Sequence, residues 1–279
     1  MIRHRRGDEF LLVAQHDHAL LSGEFAQHVG GGEAGFARPD PYRQVVDGIA
    51  LHDCGWPLHD ERPTLSDNGL PLHVLESPMP VAIKVWSESA RRAAEKDPYT
   101  GLLVSLHVMA LSFIAQTHDP TPHERYEDAK DLFDLNKFQH RQAEHQEDLR
   151  RRIGLRTDIP LRKGLAKPGV DPAEDLLLFN YNLLKLCDRL SLDLCCSEPL
   201  FETVEEVFPR PGAAPITLRI GHVAESSRPV HPWPFDTRHL EYEVPCRRLP
   251  ATPYTSDEEF QQAFDAAPRD TLRVRLAPG

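Results

Sequence analysis

The sequence predicts a mainly α-helical fold with a C-terminal antiparallel β part, that is, an α+β protein built on a helical core. Two observations lead to this fold class. Up to about residue 196, apolar residues recur four positions apart in one segment after another, which is helical spacing. After Ser197, prolines become frequent and short runs alternate between apolar and polar residues, as half-buried strands do. We therefore expect a helical core at residues 1–198, opened by a short N-terminal strand, and a β-rich extension at residues 199–279 packed on that core.

The predicted helices follow from their apolar stripes and from the residues that cap or end them. Asp17 can serve as the N-cap of the first helix, and three glycines at 30–32 end it. Gly55 and Pro57 end the second helix. Five apolar helices are predicted at residues 18–29, 41–52, 81–96, 100–117 and 173–196, and the charged segment 123–155 predicts a long solvated helix or helix pair.

The predicted strands are short runs with an apolar residue at every second position. Such runs occur at Ile216–Ile220, 240–244 and 272–276, and a short helix at Asp257–Ala266 separates the last two. The apolar run at residues 10–14 is a further strand that could join the same sheet. We expect these strands to form one antiparallel sheet.

Composition and charge exclude several classes of function. The 279 residues, 40% of them hydrophobic, are enough for a substantial core, and a formal net charge of -11 argues against a broad nucleic-acid surface. No apolar run approaches the roughly 20 residues of a membrane span, and no signal-peptide core follows the first residues. Five cysteines without Cys-x-x-Cys spacing predict reduced core residues. We expect a cytoplasmic protein without nucleic-acid or membrane partners, whereas its oligomeric state is not predicted by the sequence.

The stretch 49–60, IALHDCGWPLHD, is the first candidate for a functional site. An apolar helical run ends in His52 and Asp53, and Asp53 continues the inward stripe of that helix. A buried carboxylate beside a histidine requires a cation or a full set of hydrogen bonds. Histidine and aspartate are also common ligands of divalent metals. The pair therefore predicts a metal site, the alternative being that both residues only cap a helix end.

Other helices each offer a polar residue that an apolar core would not choose. His18 opens the first helix, with His16 as a competing choice, and Asp188 lies on the apolar face of a late helix, where Arg189 is an awkward partner. His107 is embedded in the most apolar helix, either as a hydrogen-bonded core histidine or as a site residue. Together these residues predict a site for one divalent ion: zinc, manganese, iron, nickel or cobalt.

Two family resemblances follow from these residues. The order His18, His52-Asp53 and a distant Asp188 resembles the ligand order of the HD-domain superfamily of metal-dependent phosphohydrolases. This resemblance implies an HD-like helical core and the metal ligands His18, His52, Asp53 and Asp188. The segments 15–19 (QHDHA), 50–56 (ALHDCGW), 97–107 (DPYTGLLVSLH) and 186–192 (LCDRLSL) together resemble the family known as domain of unknown function 3891. This second resemblance covers most of the chain and implies a fold and a site, but no reaction.

These observations favour a metal-dependent hydrolase, with a phosphohydrolase acting on a small, anionic, phosphorylated molecule as the leading reaction. Asp60 and His107 are the predicted catalytic residues, because either could transfer a proton to or from the reacting groups. Trp56 and His59 are expected to line the pocket. Four arginines are candidates to bind the phosphate, although a surface position is the simpler expectation for each: Arg43, Arg62, Arg91 and Arg92.

Two alternative functions remain open from the sequence. An HD-type di-iron oxygenase would need two further histidines, and His107 and His73 are the candidates, although His73 lies in a proline-rich loop. A non-catalytic protein could use the same metal only to bind a ligand or a partner.

Overall fold

The computed structural model describes residues 1–117, 129–223 and 226–279. Within them, eight α-helices and a short 3-10 helix, Val74–Glu76, are present. The α-helices are α1 Gln15–Gln27, α2 Tyr42–Ala50, α3 Pro57–Asp60, α4 Met79–Lys96, α5 Pro98–Thr117, α6 Ala129–Arg152, α7 Pro172–Cys195 and α8 Asp257–Ala266. The strands are β1 Ile2–Arg6, β2 Glu9–Val13, β3 Thr203–Val207, β4 Ile216–Ile220, β5 Ser227–His231, β6 Leu240–Pro250 and β7 Arg269–Pro278.

The predicted fold class, a mainly helical HD-like core with a C-terminal antiparallel part, is wrong. In the described part of the chain, seven strands form one curled, mixed sheet resembling half a barrel. The strand order is β1-β2-β6-β7-β5-β4-β3, and β5 runs parallel to β7 while the other pairs are antiparallel. The N-terminal strand β2 pairs with β6, so both ends of the chain contribute to this sheet.

Three strands were not predicted from the sequence, because their residues do not alternate clearly between apolar and polar. β1 reads IRHRR, yet Ile2 and His4 are buried and the strand pairs along its length with β2. β3 carries two glutamates, and β5 contains Pro229, which usually argues against a strand within a sheet. β1 and β3 pair with the next strands along the chain, β2 and β4, and β5 pairs with β4 and β7, so strand pairing and not local propensity makes these segments strands.

The apolar helix α5 runs through the helical part of the protein, packed against α2, α4, α6 and α7. Its residues Leu102, Leu103 and Leu106 are buried. Among the described helices, it alone is long and apolar enough to cross a membrane, by length and composition; 61% of the stretch Pro98–Ala115 is buried inside the protein. A core helix passes the same test, so this feature is weak grounds for a membrane span.

The charged segment predicted as a solvated helix or helix pair contains α6, while its residues 123–128 lie outside the described part. α6 is not solvated all round, because Leu135, Phe138 and Leu149 are buried. Arg150 is also buried, and its guanidinium forms an ion pair with Glu174 of α7. All five cysteines are free and buried, as the sequence predicted.

Candidate metal centre

Helices α1, α2, α5 and α7 bring the candidate ligands together. His18 lies in the first turns of α1, which follows β2 directly, and His52 and Asp53 lie in the turn that ends α2. Asp188 projects from the middle of α7. The three side chains from α1 and α2 are buried, and that of Asp188 is 16% exposed.

Two glycines allow this close approach. A Cβ atom on Gly23 of α1 would lie 2.6 Å from the Cβ of Ala50, so the bare backbone lets α1 pack tightly against the end of α2. A Cβ on Gly55 would lie 2.1 Å from the carbonyl oxygen of Val85 in α4. The N–H of Gly55 also donates to the Ser89 hydroxyl at 2.8 Å, which seats the turn carrying His52 and Asp53 on α4.

Among the four predicted metal-binding residues, the Nε2 atom of each histidine lies within 4.0 Å of both carboxylates. His18 Nε2 lies 3.1 Å from Asp53 Oδ2 and 4.0 Å from Asp188 Oδ1. His52 Nε2 lies 3.3 Å from Asp188 Oδ1 and 3.8 Å from Asp53 Oδ2. One ligand atom each from His18, His52 and Asp188 lies within 4.8 Å of the others, the spacing of a group that could hold a metal ion. We call these four residues the metal cluster.

The orientation of His52 is fixed by its other ring nitrogen. Its Nδ1 lies 2.7 Å from the carbonyl oxygen of Ile49, and because a carbonyl can only accept, Nδ1 carries the hydrogen. The Nε2 atom therefore presents its lone pair to Asp53 and Asp188 when the ring is neutral. This atom is buried 3.3 Å from Asp188 Oδ1, so either a ring proton or a divalent cation can lie between His52 and that carboxylate.

Ser191 orients His18 in the same way. The Ser191 hydroxyl donates to the carbonyl oxygen of Asp188 at 2.9 Å, so it accepts from His18 Nδ1, also at 2.9 Å. Ser22 lies beside this pair, and its hydroxyl can donate either to the His18 carbonyl oxygen at 3.1 Å or to the Ser191 hydroxyl at 2.6 Å. Both histidines of the metal cluster therefore direct Nε2 at the carboxylates.

Electrostatics within the metal cluster favour a bound cation. Burial alone lowers the pKa of His52, but the carboxylates of Asp53 and Asp188 outweigh it and raise that pKa to about 9. Burial opposes ionisation of the two aspartates, yet the neighbouring histidines hold the pKa of both carboxyl groups below its usual range. Two buried carboxylates thus remain charged and require positive charge between them.

His107, from α5, lies at the edge of the metal cluster. Its ring centroid is 5.0 Å from that of His52, and its Nε2 lies 3.9 Å from Asp188 Oδ2. Burial lowers the pKa of His107 to about 4, against the opposing effect of the Asp188 carboxylate. The ring is therefore neutral at pH 7, and its low pKa makes it a weak base.

Gln15 is a site residue that the sequence analysis did not single out. Its side-chain Nε2 donates to Asp53 Oδ2 at 3.0 Å, while its buried Oε1 has no hydrogen-bond partner among the described residues. It is the first residue of the segment QHDHA, but glutamine carries no charge and left no signal of its own in the sequence. Its amide fixes one carboxylate of the metal cluster and leaves an acceptor beside it.

The structure does not bring Asp60 to the metal cluster. Its Oδ2 accepts from the backbone N–H of Gln15 at 2.7 Å, and its Oδ1 lies 3.0 Å from the Met1 amino group. The carboxylate therefore holds the start of α1 in place. This position does not favour the direct role in proton transfer that the sequence predicted for Asp60. Gln15 links Asp60 to the metal cluster, because its backbone N–H donates to Asp60 and its side chain donates to Asp53.

A cavity of about 200 Å³ opens from the metal cluster, and its lining includes Trp56 and His107. Trp56 thus lies where the sequence analysis placed it. His59 does not line this cavity; its ring packs edge-on against Trp56, with centroids 6.1 Å apart. Burial lowers the pKa of His59.

Several other candidates lie elsewhere. His73 accepts from the N–H of Leu75 through Nδ1 and contacts Cys196 Sγ through Nε2, so the second histidine required by a di-iron oxygenase is engaged outside the metal cluster. Arg189 lies over the ring of Phe201 and does not pair with Asp188 in that position.

The four arginines considered for phosphate binding also lie outside the cavity lining. Arg91 and Arg92 both pair with Glu88, and Arg92 also donates to the Cys54 carbonyl. Arg43 has an 87% exposed side chain near Asp47, and Arg62 is exposed.

Comparison with known proteins identifies a family but no activity. The family described as "Protein of unknown function (DUF3891)" matches residues 1–251, which include every residue of the metal cluster. No curated protein and no solved structure matches the chain.

Proposed function

We propose that this chain, which belongs to the DUF3891 family, is a metal-dependent hydrolase of small esters, with phosphoesters as the leading substrate class. The observation that carries the proposal is the convergence of His18 Nε2 and His52 Nε2 on the carboxylates of Asp53 and Asp188, each histidine being turned by a hydrogen bond at Nδ1. Such a donor set suits zinc, manganese, iron, nickel or cobalt and does not choose among them.

The proposal rests on the site and not on the fold. The order of the ligands along the chain, His18, His52-Asp53 and Asp188, is similar to that of HD-domain phosphohydrolases, but the half-barrel sheet is not part of that architecture. We propose the relationship at the level of the ligands only.

A divalent cation held by the metal cluster would supply Lewis-acid activation of a water molecule and of the ester oxygen. His107 is the proposed proton acceptor: its neutral ring takes up a proton at Nε2, where the Asp188 carboxylate at 3.9 Å stabilises the resulting charge. Gln15 keeps Asp53 in place, and its free Oε1 can accept a hydrogen bond from the attacking water. The buried position of these groups excludes bulk solvent from the reaction.

Hydrolysis of 4-nitrophenyl phosphate and bis(4-nitrophenyl) phosphate by protein loaded with each candidate metal tests this function. We expect turnover by the wild type, and a loss of about 100-fold or more in His107→Gln, since general acid–base catalysis contributes roughly that factor. His107→Gln should keep its metal, whereas Asp188→Ala should lose both metal and activity.

The matched control is Asp47→Asn, which removes a carboxylate of α2 that pairs with Lys96 on the surface and should leave activity unchanged. Absence of turnover by fully metal-loaded wild type on these and other small esters would overturn the hydrolase assignment and favour a non-catalytic metal-binding protein.

A further inference from the structure

The walls of the cavity beside the metal cluster are apolar. Val74 comes from the 3-10 helix and Trp56 from the turn before α3. Three long helices supply the others: Met79 and Trp86 from α4, Leu111 from α5 and Leu192 from α7. Trp56, Met79 and Trp86 are themselves buried in one hydrophobic cluster with the core face of α4. Their packing makes these walls rigid, so the shape of the cavity is set before a ligand enters.

Few polar side chains line this cavity. Apart from Ser77, the polar residues of the lining are Gln15, His107 and members of the metal cluster. No lysine or arginine lines the cavity within the described ranges 1–117, 129–223 and 226–279. A doubly charged cation would neutralise the carboxylates of Asp53 and Asp188 and leave no excess positive charge, so a ligand cannot be held there by charge alone.

The mouth of the cavity is apolar as well. Leu75 and Ile114 belong to its lining, yet their side chains are 52% and 47% exposed. Large exposed apolar side chains at the rim of a concave site indicate a surface that an apolar ligand covers. The volume of about 200 Å³ sets the scale of that ligand, because an apolar cavity of ~150 Å³ accommodates benzene.

We infer that the substrate is a phosphoester of an apolar alcohol whose organic group is about the size of a substituted phenyl ring. The apolar walls bind the organic group, and the metal cluster with His107 faces the phosphoryl group. In the reaction, the oxygen of water bonds to phosphorus, the bond from phosphorus to the alcohol oxygen breaks, and the alcohol leaves with one of the protons of water. This inference rests on the proposed function, and it makes sugar and nucleoside phosphates poor substrates because their hydroxyl groups would lose hydrogen bonds to water at these walls.

The test is calorimetric titration of the zinc-loaded full chain with two non-hydrolysable ligands, phenylphosphonate and methylphosphonate, which share a head group. We expect phenylphosphonate to bind at least about tenfold more tightly, since burial of a phenyl group contributes that factor or more. Ile114→Glu places a charge at the rim without disturbing the core, because Ile114 is exposed, and it should reduce this preference to about threefold or less. The affinity for methylphosphonate should not change.

Phe133→Glu is the matched control. Phe133 of α6 is 66% exposed and does not line the cavity, so its change to glutamate should preserve the preference for phenylphosphonate. Equal affinities of the wild type for the two phosphonates would overturn the inference, and so would an equal effect of both variants.

A neutral probe separates this inference from the proposed function. Fluorobenzene, observed by ¹⁹F NMR, needs no metal and should bind the protein with or without zinc, and Ile114→Glu should weaken its binding. If neither phosphonate binds while fluorobenzene does, the result supports an apolar binding cavity and contradicts the metal-dependent function. If both phosphonates bind equally and fluorobenzene does not bind, the result supports the metal site and contradicts the inference of an apolar substrate.

Discussion

His52 donates its Nδ1–H to the carbonyl oxygen of Ile49, 2.7 Å away at the end of α2. This bond turns Nε2 toward Asp53 and Asp188, just as the Ser191 hydroxyl turns Nε2 of His18. The metal cluster is therefore oriented by the protein's own hydrogen bonds. Small changes in these supporting groups should affect metal affinity before they affect the fold.

Ser191→Ala tests this orientation directly. Loss of the hydroxyl frees the ring of His18 to rotate, and we expect the affinity for zinc to fall by roughly 10- to 100-fold, the usual effect of losing a supporting hydrogen bond. Zinc affinity is measured by competition with a chromogenic chelator. The control is Ser87→Ala, because Ser87 donates only within α4 to Ile83 and is exposed. Equal affinities of wild type and Ser191→Ala would contradict the proposed role of Ser191.

His16 and His18 are distinguished by their positions. His18 directs Nε2 into the metal cluster, whereas the structure places no ligand atom of His16 in the group formed by His18, His52 and Asp188. We expect His18→Ala to reduce zinc affinity by more than the loss of a supporting bond does, that is, by more than about 100-fold. His16→Ala should reduce it by less than about tenfold. The same chelator competition measures both, and a reversed order would show that the ligand is His16.

Gly23→Ala should destabilise the protein where α1 meets α2. The new Cβ would lie 2.6 Å from the Cβ of Ala50, so the helices must move apart, at a cost of about 1–3 kcal/mol in the free energy of unfolding. Urea denaturation followed by circular dichroism measures this cost. The double variant Gly23→Ala/Ala50→Gly removes the Cβ–Cβ contact, although the Cα of residue 50 would remain 3.1 Å from the new Cβ, and it should recover part of the loss. If the single variant is as stable as the wild type, the close contact is not what positions His18 beside His52.

His73 should make stability depend on pH. Burial, with the charges of Arg3 and the Met1 amino group, lowers the pKa of His73 to about 3 in the folded protein. The unfolded chain has an ordinary histidine pKa of about 6.5, so it binds the proton more readily. The free energy of unfolding therefore falls as the pH drops from about 6.5 toward 3, by up to about 1.4 kcal/mol per pH unit.

His73→Asn should reduce the fall in the free energy of unfolding at acidic pH, because asparagine does not bind the proton. The asparagine side-chain oxygen can still accept from the N–H of Leu75. Denaturation in urea at pH 7 and pH 5 measures the difference, and His222→Asn, at an exposed position, is the control. A His73→Asn variant that loses as much stability between these pH values as the wild type would refute the assignment.

The sequence predicted the helices better than the sheet. Apolar stripes located α4, α5 and α7 to within two residues at each end, because a helix buries one face of a continuous segment. The sheet depends on partners far apart in the chain, such as Phe10 with Leu249 and Leu240 with Leu276. No local pattern shows that β5 will run parallel to β7, and the resemblance to HD domains directed the fold prediction toward a helical core.

The candidate site was partly predictable for a related reason. His18, His52, Asp53 and Asp188 are polar residues on inward stripes, where an apolar core would exclude them, and the structure brings them together. Asp60 is also a buried acidic residue beside a histidine, but its carboxylate accepts from the backbone N–H of Gln15 at the start of α1. Gln15 and Ser191 could not be recognised from the sequence, because neutral polar side chains are common and their hydrogen-bond partners belong to other helices.

The central claim is that the metal cluster binds one divalent cation, and elemental analysis of purified, untagged protein beside the Asp188→Ala variant tests it most directly. We expect about one metal atom per chain in the wild type, lost in the variant while its helical content survives by circular dichroism. Full metal content in Asp188→Ala, or a wild type that takes up no metal after supplementation with each candidate ion, would contradict the account. In the second case, His18, His52, Asp53 and Asp188 would form a buried hydrogen-bond network, with the raised pKa of His52 supplying the positive charge.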